Sequence, residues 1–193
     1  MFRPNIGIDI DGVIGDSDKT FRKYLNKEFG FNLKRSDITK FMYEDILDVP
    51  KSKIKKFWEN FTEKKLWLEI PLLQNAKSSI DYLKDKYNVI IITARPEKLK
   101  DMTVEWLEKN QIQYDDLIFI DEQNKESKIS KIFQKNINLR FHIEDRAEYA
   151  VEFAKAEIKV ILFDYPWNKN IKGKFDKEYL IRVKNWREAL SYV

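Results

Sequence analysis

The stretch Ile6-Gly7-Ile8-Asp9-Ile10-Asp11-Gly12-Val13 decides how the rest of this 193-residue chain is read. It opens as near-continuous apolar sequence rich in β-branched residues, the composition of a strand buried on both faces. It then runs directly into two carboxylates and a glycine. Four further runs have the same apolar character: Val89 to Thr93, Leu117 to Ile120, Leu139 to Ile143 and Val160 to Phe163. Helix-period segments lie between them. Ala76, Ile80, Leu83 and Tyr87 share one face, as do Leu99, Met102, Trp106 and Leu107, and Ala147, Ala150, Val151 and Ala154. This alternation predicts an α/β fold, a doubly wound, Rossmann-like parallel sheet with helices on both faces.

One connection breaks the rhythm. Roughly 75 residues separate the first strand from the second, far more than one crossover helix requires. Inside it, Ser17 or Asp18 is placed to cap a helix carrying Phe21, Tyr24 and Leu25 and ending at Gly30, and a second helix follows Pro50 with Ile54, Phe57, Trp58 and Phe61 on one face. The expectation is a core made of residues 1–15 and 75–193, interrupted by a small helical insertion at 16–74. The tail beyond Asp164 reads as a Pro-Trp-Asn turn and a short helix near Trp186 and Leu190, packed over the sheet edge.

Composition narrows the chemistry. There is no cysteine, which removes disulfides, thiolate metal sites and a cysteine nucleophile. Thirty-six basic against 32 acidic residues leave a net charge of +4, spread along the chain, and only eight of the basic residues are Arg. That is a weak footprint for a polyanion, so no nucleic-acid polymer is expected as a partner. No apolar run approaches the roughly 18 residues of a membrane span, and the first strand begins too early to leave room for a signal peptide. A soluble, cytoplasmic protein is expected.

In open α/β sheets ligands bind beyond the carboxyl ends of the strands, so the residues just past each strand carry the functional reading. With period-two alternation, Asp9 and Asp11 point to one side. Two carboxylates so close repel unless a cation neutralises them or one holds a proton, and Mg²⁺ suits such an oxygen donor set. Thr93-Ala94-Arg95-Pro96 offers a hydroxyl, backbone N–H groups and a guanidinium fork for a phosphate. Alternatively, it is a helix cap before Pro96. Glu144-Asp145-Arg146 ends the fourth strand, with Asp145 placed to complete a metal site and Glu144 behind it. Between strands three and four, Lys128 or Lys125 could neutralise an aspartate and a phosphate together. His142, the only histidine, reads as a satisfied interior or face residue rather than a catalyst. Trp167 and Asn168 either approach the site or build a turn.

These residues carry a resemblance. Ile6 to Val13 resembles the first motif of the haloacid dehalogenase superfamily, most of whose members are phosphohydrolases. Thr93 matches the second motif's hydroxyl, Lys128 the third and Glu144-Asp145 the fourth. The insertion falls where that family places a helical cap. Thr93-Ala94-Arg95-Pro96, Ile143-Glu144-Asp145-Arg146 and Phe163-Asp164-Tyr165-Pro166 resemble more narrowly the 5'(3')-deoxyribonucleotidase branch and its bacterial relatives. The resemblance implies a Mg²⁺-dependent phosphomonoesterase acting on a small nucleotide. Asp9 would be the nucleophile that becomes an aspartyl-phosphate, and Asp11 the general acid and base. Mg²⁺ would be held by Asp9, the Asp11 carbonyl and Asp145. Thr93 and Lys128 would grip the phosphate, with the Ile10 and Ala94 N–H groups assisting. The fourth motif is Glu-Asp here, where animal deoxyribonucleotidases commonly carry Asp-Asp. Phe21, Phe41 and Tyr43 of the cap are the candidates to face a nucleobase, with Arg95 near the substrate. A sugar phosphate is the alternative substrate, and a noncatalytic phosphate-ligand sensor the alternative function.

Overall fold

The structure is a computed structural model that describes residues 3–124, 126–173 and 176–193. Its centre is a sheet of β1 (Asn5–Ile8), β2 (Asn88–Thr93), β3 (Asp116–Phe119), β4 (Leu139–Glu144), β5 (Lys159–Phe163) and β6 (Leu180–Val183), ordered β3-β2-β1-β4-β5-β6 with every neighbouring pair parallel. Strand order reverses at β1, whose neighbours β2 and β4 lie far from it in sequence. Such a switch point opens a crevice at the carboxyl edge.

The sequence predicts five strands, and the sheet carries a sixth. β6 is short, half-buried over three of its four residues and broken by Arg182. An edge strand with one neighbour need not show the continuous apolar run of an interior one.

The long β1–β2 connection holds α1 (Ser17–Phe29) and α2 (Lys51–Glu63). The cap of α1 is Asp16, whose carboxylate accepts from Lys19 N at 3.3 Å. Ser17 and Asp18, the caps suggested by the sequence, use their side chains elsewhere. Leu25, Ile38, Tyr43, Leu47, Ile54, Phe57 and Phe61 build an apolar cluster drawn entirely from this connection. Phe21 packs edge-on against Trp58 at 5.0 Å and Trp67 at 5.4 Å, an arrangement favoured by the ring quadrupoles.

Two other clusters sandwich the sheet. On one face, Ile6, Ile8, Ile91 and Ile143 meet α3 (Ala76–Lys84), α4 (Lys100–Lys109) and the short α7 (Trp186–Ala189). On the other, Ile90, Ile92 and Leu162 meet α5 (Lys128–Gln134) and α6 (Ala147–Lys155). The apolar rows alternate along the strands because successive side chains point to opposite faces. Among the described residues no helix is long and apolar enough to cross a membrane.

Candidate active site

Pairing of β1 with β4 aligns their carboxyl ends. Asp9 N donates to Ile143 O at 3.0 Å, so Asp9 stands beside Glu144 and Asp145. Beyond Asp9 the chain turns sharply, and the N–H groups of Val13, Ile14 and Gly15 all converge on Ile10 O at 3.3, 2.8 and 2.9 Å. Ile10 therefore anchors the loop through its carbonyl, and its side chain is fully buried in the core. Gly12 takes φ +75°, and a Cβ there would lie 2.2 Å from Asp145 Oδ2. Both the left-handed backbone and the closeness of the carboxylate require glycine. The Tyr165 hydroxyl clamps the loop by donating to Gly12 O at 2.9 Å.

The strand ends at Ile8, so the alternation expected to align Asp9 with Asp11 does not reach Asp11. The two carboxylates bind different partners. Arg95, 3% exposed, grips Asp11 with two bonds, Nε to Oδ2 at 2.8 Å and Nη2 to Oδ1 at 2.7 Å, and Ser17 Oγ also donates to Oδ1. The guanidinium expected to face a phosphate or substrate is thus closed on Asp11. It lies between Trp67 and Trp106, 5.2 and 5.5 Å from their ring centres. Thr93 is buried, and its hydroxyl accepts from Arg95 N at 3.1 Å.

Lys128 opens α5. Ser127 caps that helix by accepting from Ser130 N at 3.2 Å, and the fully buried Lys128 reaches across to Asp9 Oδ1 and Glu144 Oε2, both at 2.7 Å. Lys125, the other lysine considered, lies outside the described residues. Glu144 Oε1 accepts from the N–H groups of Asp145 and Arg146 at 3.0 and 3.1 Å, while Oε2 lies 3.1 Å from His142 Nε2. Asp145 Oδ2 accepts from Trp167 Nε1 at 3.1 Å, and Asn168 Nδ2 donates at 2.6 Å to both Asp145 O and Phe163 O. Sequence reasoning left Trp167 and Asn168 open. They hold Asp145 from the β5 side of the sheet.

Burial is the first influence on Asp9, Asp11, Lys128, His142, Glu144 and Asp145. It pushes Asp9 up to about 7 against the pull of Lys128, with Glu144 and Asp11 adding repulsion. It pushes Asp145 well up too, helped by the neighbouring Glu144 and Asp9 charges. Burial works the same way on Glu144, but Lys128 and then His142 outweigh it and hold the carboxyl well below its ordinary value. Arg95 does likewise for Asp11. Burial lowers Lys128, yet Asp9 and Glu144 keep it raised overall, and burial holds His142 below its ordinary value. Asp9, Glu144 and Asp145 can each point one oxygen into a space where all three lie within 4.8 Å. Lys128 answers only part of that charge. A buried, all-oxygen, negatively charged donor set fits a hard divalent cation. Asp11 is absent from this carboxylate group because its side chain is turned to Arg95.

Above these residues a cavity of about 800 Å³ opens between the sheet edge and the helical connection. Its floor includes Asp9, Asp11, Thr93, Ala94 and Asp145, and its walls include Phe21, Phe41, Tyr43 and Trp58. Tyr43 is buried and donates to Asp18 Oδ1 at 3.1 Å, and Phe41 lies 4.4 Å from the Arg146 guanidinium. Asp18, missed as a site-wall residue, also binds Arg22 and Arg35.

Acids at the ends of adjacent parallel strands, a lysine bridging two of them and a helical connection roofing the space define a haloacid-dehalogenase-like phosphoric monoester hydrolase. The chain belongs to the family described as 5' nucleotidase, deoxy (pyrimidine), cytosolic type C, which it matches over residues 3–193. It is 36% identical over 191 residues to YqfW of Bacillus subtilis (strain 168), covering 97% of this chain and 92% of that protein. To the nucleotidase CA_C3379 of Clostridium acetobutylicum it is 32% identical over 193 residues, covering 100% of this chain and 95% of that one. Among solved structures, the haloacid dehalogenase-like hydrolase SP0104 from Streptococcus pneumoniae superposes with a TM-score of 0.69 at 16% identity, over 98% of each chain.

Proposed function

We propose that the protein is a Mg²⁺-dependent 5'(3')-nucleotidase of the cytoplasm that hydrolyses nucleoside monophosphates through an aspartyl-phosphate on Asp9. The observation that carries this reading is Lys128 Nζ bridging Asp9 and Glu144 at 2.7 Å beneath the aromatic-walled cavity. Nucleotidase names among the relatives support the substrate class, and the helical connection, residues 16–74, is read as the cap that recognises the leaving nucleoside.

Asp9 Oδ attacks phosphorus, and the ester P–O bond breaks with its electron pair passing to the nucleoside oxygen. Asp11 supplies the proton that oxygen needs. Water then attacks the aspartyl-phosphate, giving its proton to Asp11, and the Asp9 carboxylate leaves with the acyl-oxygen electron pair. Lys128 offsets charge on the phosphoryl oxygens, and the Thr93 hydroxyl with the Ile10 and Ala94 N–H groups orients them. Mg²⁺ would be held by Asp9, Asp145 and the Asp11 carbonyl, with Glu144 engaged by Lys128 beside them. When bound there, it would supply positive charge favouring an ionised Asp9 and a polarised phosphoryl group. Asp11 meets the first proton transfer only when its bond to Arg95 loosens, because that pairing keeps it ionised.

The test is phosphate release from nucleoside 5'- and 3'-monophosphates and sugar phosphates, with Mg²⁺ and with chelator. The expected result is Mg²⁺-dependent release concentrated on nucleotides, and its loss by at least about 10³-fold in Asp9→Asn. Release from sugar phosphates alone retains the chemistry and discards the substrate. Chelator-insensitive release discards the metal.

A further inference from the structure

His142 and Glu144 lie two residues apart on β4, on the same face of the sheet. That face is the one carrying α5 and α6. The imidazole is completely buried and stacked on Phe153 of α6, ring centres 4.1 Å apart and planes at 21°. Its Nε2 meets Glu144 Oε2 at 3.1 Å, and that same oxygen receives Lys128 Nζ at 2.7 Å. The other side of the ring is accommodated by Gly7, its register partner on β1. A Cβ on Gly7 would lie 2.3 Å from His142 Nδ1. The ring is therefore fixed by a stacking partner, a missing side chain and a hydrogen bond, and that bond leads by two further contacts to the carboxylate at the reaction centre.

Glu144 makes contacts through both oxygens. Two backbone N–H groups hold Oε1, while Oε2 is shared by a lysine and an imidazole. Without a donor at Nε2 the carboxylate loses one of the two contacts that set its rotation about the Oε1 anchor, and the one that is fixed by the sheet. The lysine hanging from Oε2 then loses its fixed reach to Asp9. Ångström-scale displacement of such groups costs rate far more than it costs binding.

We propose that His142 is a positioning residue. Its Nε2–H orients Glu144, Glu144 holds Lys128, and Lys128 fixes the Asp9 carboxylate for attack. This inference rests on the phosphohydrolase reading above.

His142→Phe keeps the stacking ring and removes the donor, and His142→Gln restores an N–H near the Nε2 position. Expected are a kcat about 10- to 100-fold lower in the Phe variant with KM changed less than about twofold, and recovery of most of that loss in the Gln variant. An unchanged kcat in the Phe variant overturns the proposal, as do equal losses in the two variants. A second measurement is independent of how well the variants fold. His142 is the only histidine, so ¹⁵N-histidine labelling gives one imidazole spin system in the wild-type protein. Long-range ¹H–¹⁵N correlation is expected to show a proton on Nε2 and none on Nδ1. The Nδ1–H tautomer overturns the proposal even where the enzyme is active. Conversely, an Nε2–H imidazole in a protein that releases no phosphate would discard the enzymatic reading and leave the ring geometry standing.

Discussion

Asp11 is held by three donors, two from Arg95 and one from Ser17, and its carboxyl is kept below the ordinary range. A group so held is ionised but a weakened base, and it must first gain a proton before it protonates a nucleoside, so both of its roles need the Arg95 pairing to loosen. Asp11→Asn is therefore expected to lower kcat roughly 10²- to 10⁴-fold on nucleoside monophosphates. On p-nitrophenyl phosphate, whose leaving group needs no proton, the first step should survive and phosphoenzyme should accumulate. A comparison of burst amplitudes checks this, and equal losses on both substrates with no burst would remove Asp11 from the acid role. Gly12 is a second single-residue constraint. Gly12→Ala places a methyl against Asp145 Oδ2 and forces a left-handed backbone onto a residue with a Cβ, a strain of roughly 1–2 kcal/mol. A lower midpoint in urea together with a large drop in phosphate release is expected. A midpoint equal to wild type would mean that the loop relaxes freely.

At the scale of elements, the sheet depends on how the ends of helices are tied to it. Asp115, just before β3, accepts from Val89 N of β2 at 2.6 Å and from Lys84 Nζ, the last residue of α3, at 2.6 Å. Burial alone would raise this carboxyl, but the lysine and the backbone N–H together hold it below its ordinary value. Its folded form thus favours the ionised state, and the stabilisation is present above the unfolded value of 3.8 and fades as the pH falls below it. Asp115→Asn should cost about 0.5–1.5 kcal/mol at pH 7, with the gap to wild type closing towards pH 3. A gap that stays constant with pH would contradict the assignment. Elements of this kind were unevenly legible in the sequence. The four interior strands announced themselves because burial on both faces demands unbroken apolar runs, β3 because its short apolar run survives at the sheet edge, and α3, α4 and α6 because one apolar face repeats at helical spacing. β6 carries no such signal. The placement of Asp9 and Asp145 at the carboxyl edge was readable because strand tips are where this architecture concentrates chemistry, whereas Lys128, on the first turn of α5, could not be separated from Lys125. The Arg95–Asp11 pairing was not readable, since it depends on where β1 stops and on a guanidinium reaching across 84 residues of sequence. Nor could composition reveal that Ser17 and Asp18 leave the helix cap to Asp16.

For the whole molecule, the carboxylate group is a store of repulsion within a folded scaffold. Asp9, Glu144 and Asp145 come together only in the folded chain, so a cation that binds there binds the native state and stabilises it by mass action. Saturating Mg²⁺, at about 100 times its dissociation constant, should add about 2.7 kcal/mol, a rise in melting temperature of roughly 5–11 °C for a chain of this size. Asp145→Asn should lose most of that rise while melting no lower than wild type in chelator. A full Mg²⁺ response in the variant would place the cation elsewhere. The strand order has one more consequence. β1 comes first among the described strands, yet it lies in the interior of the sheet between β2 and β4, and Lys128 meets Asp9 across 119 residues. Asp9 therefore gains its lysine and its neighbouring acids only once β4 has paired with β1, so the site shares its folding step with the least local pairing in the sheet.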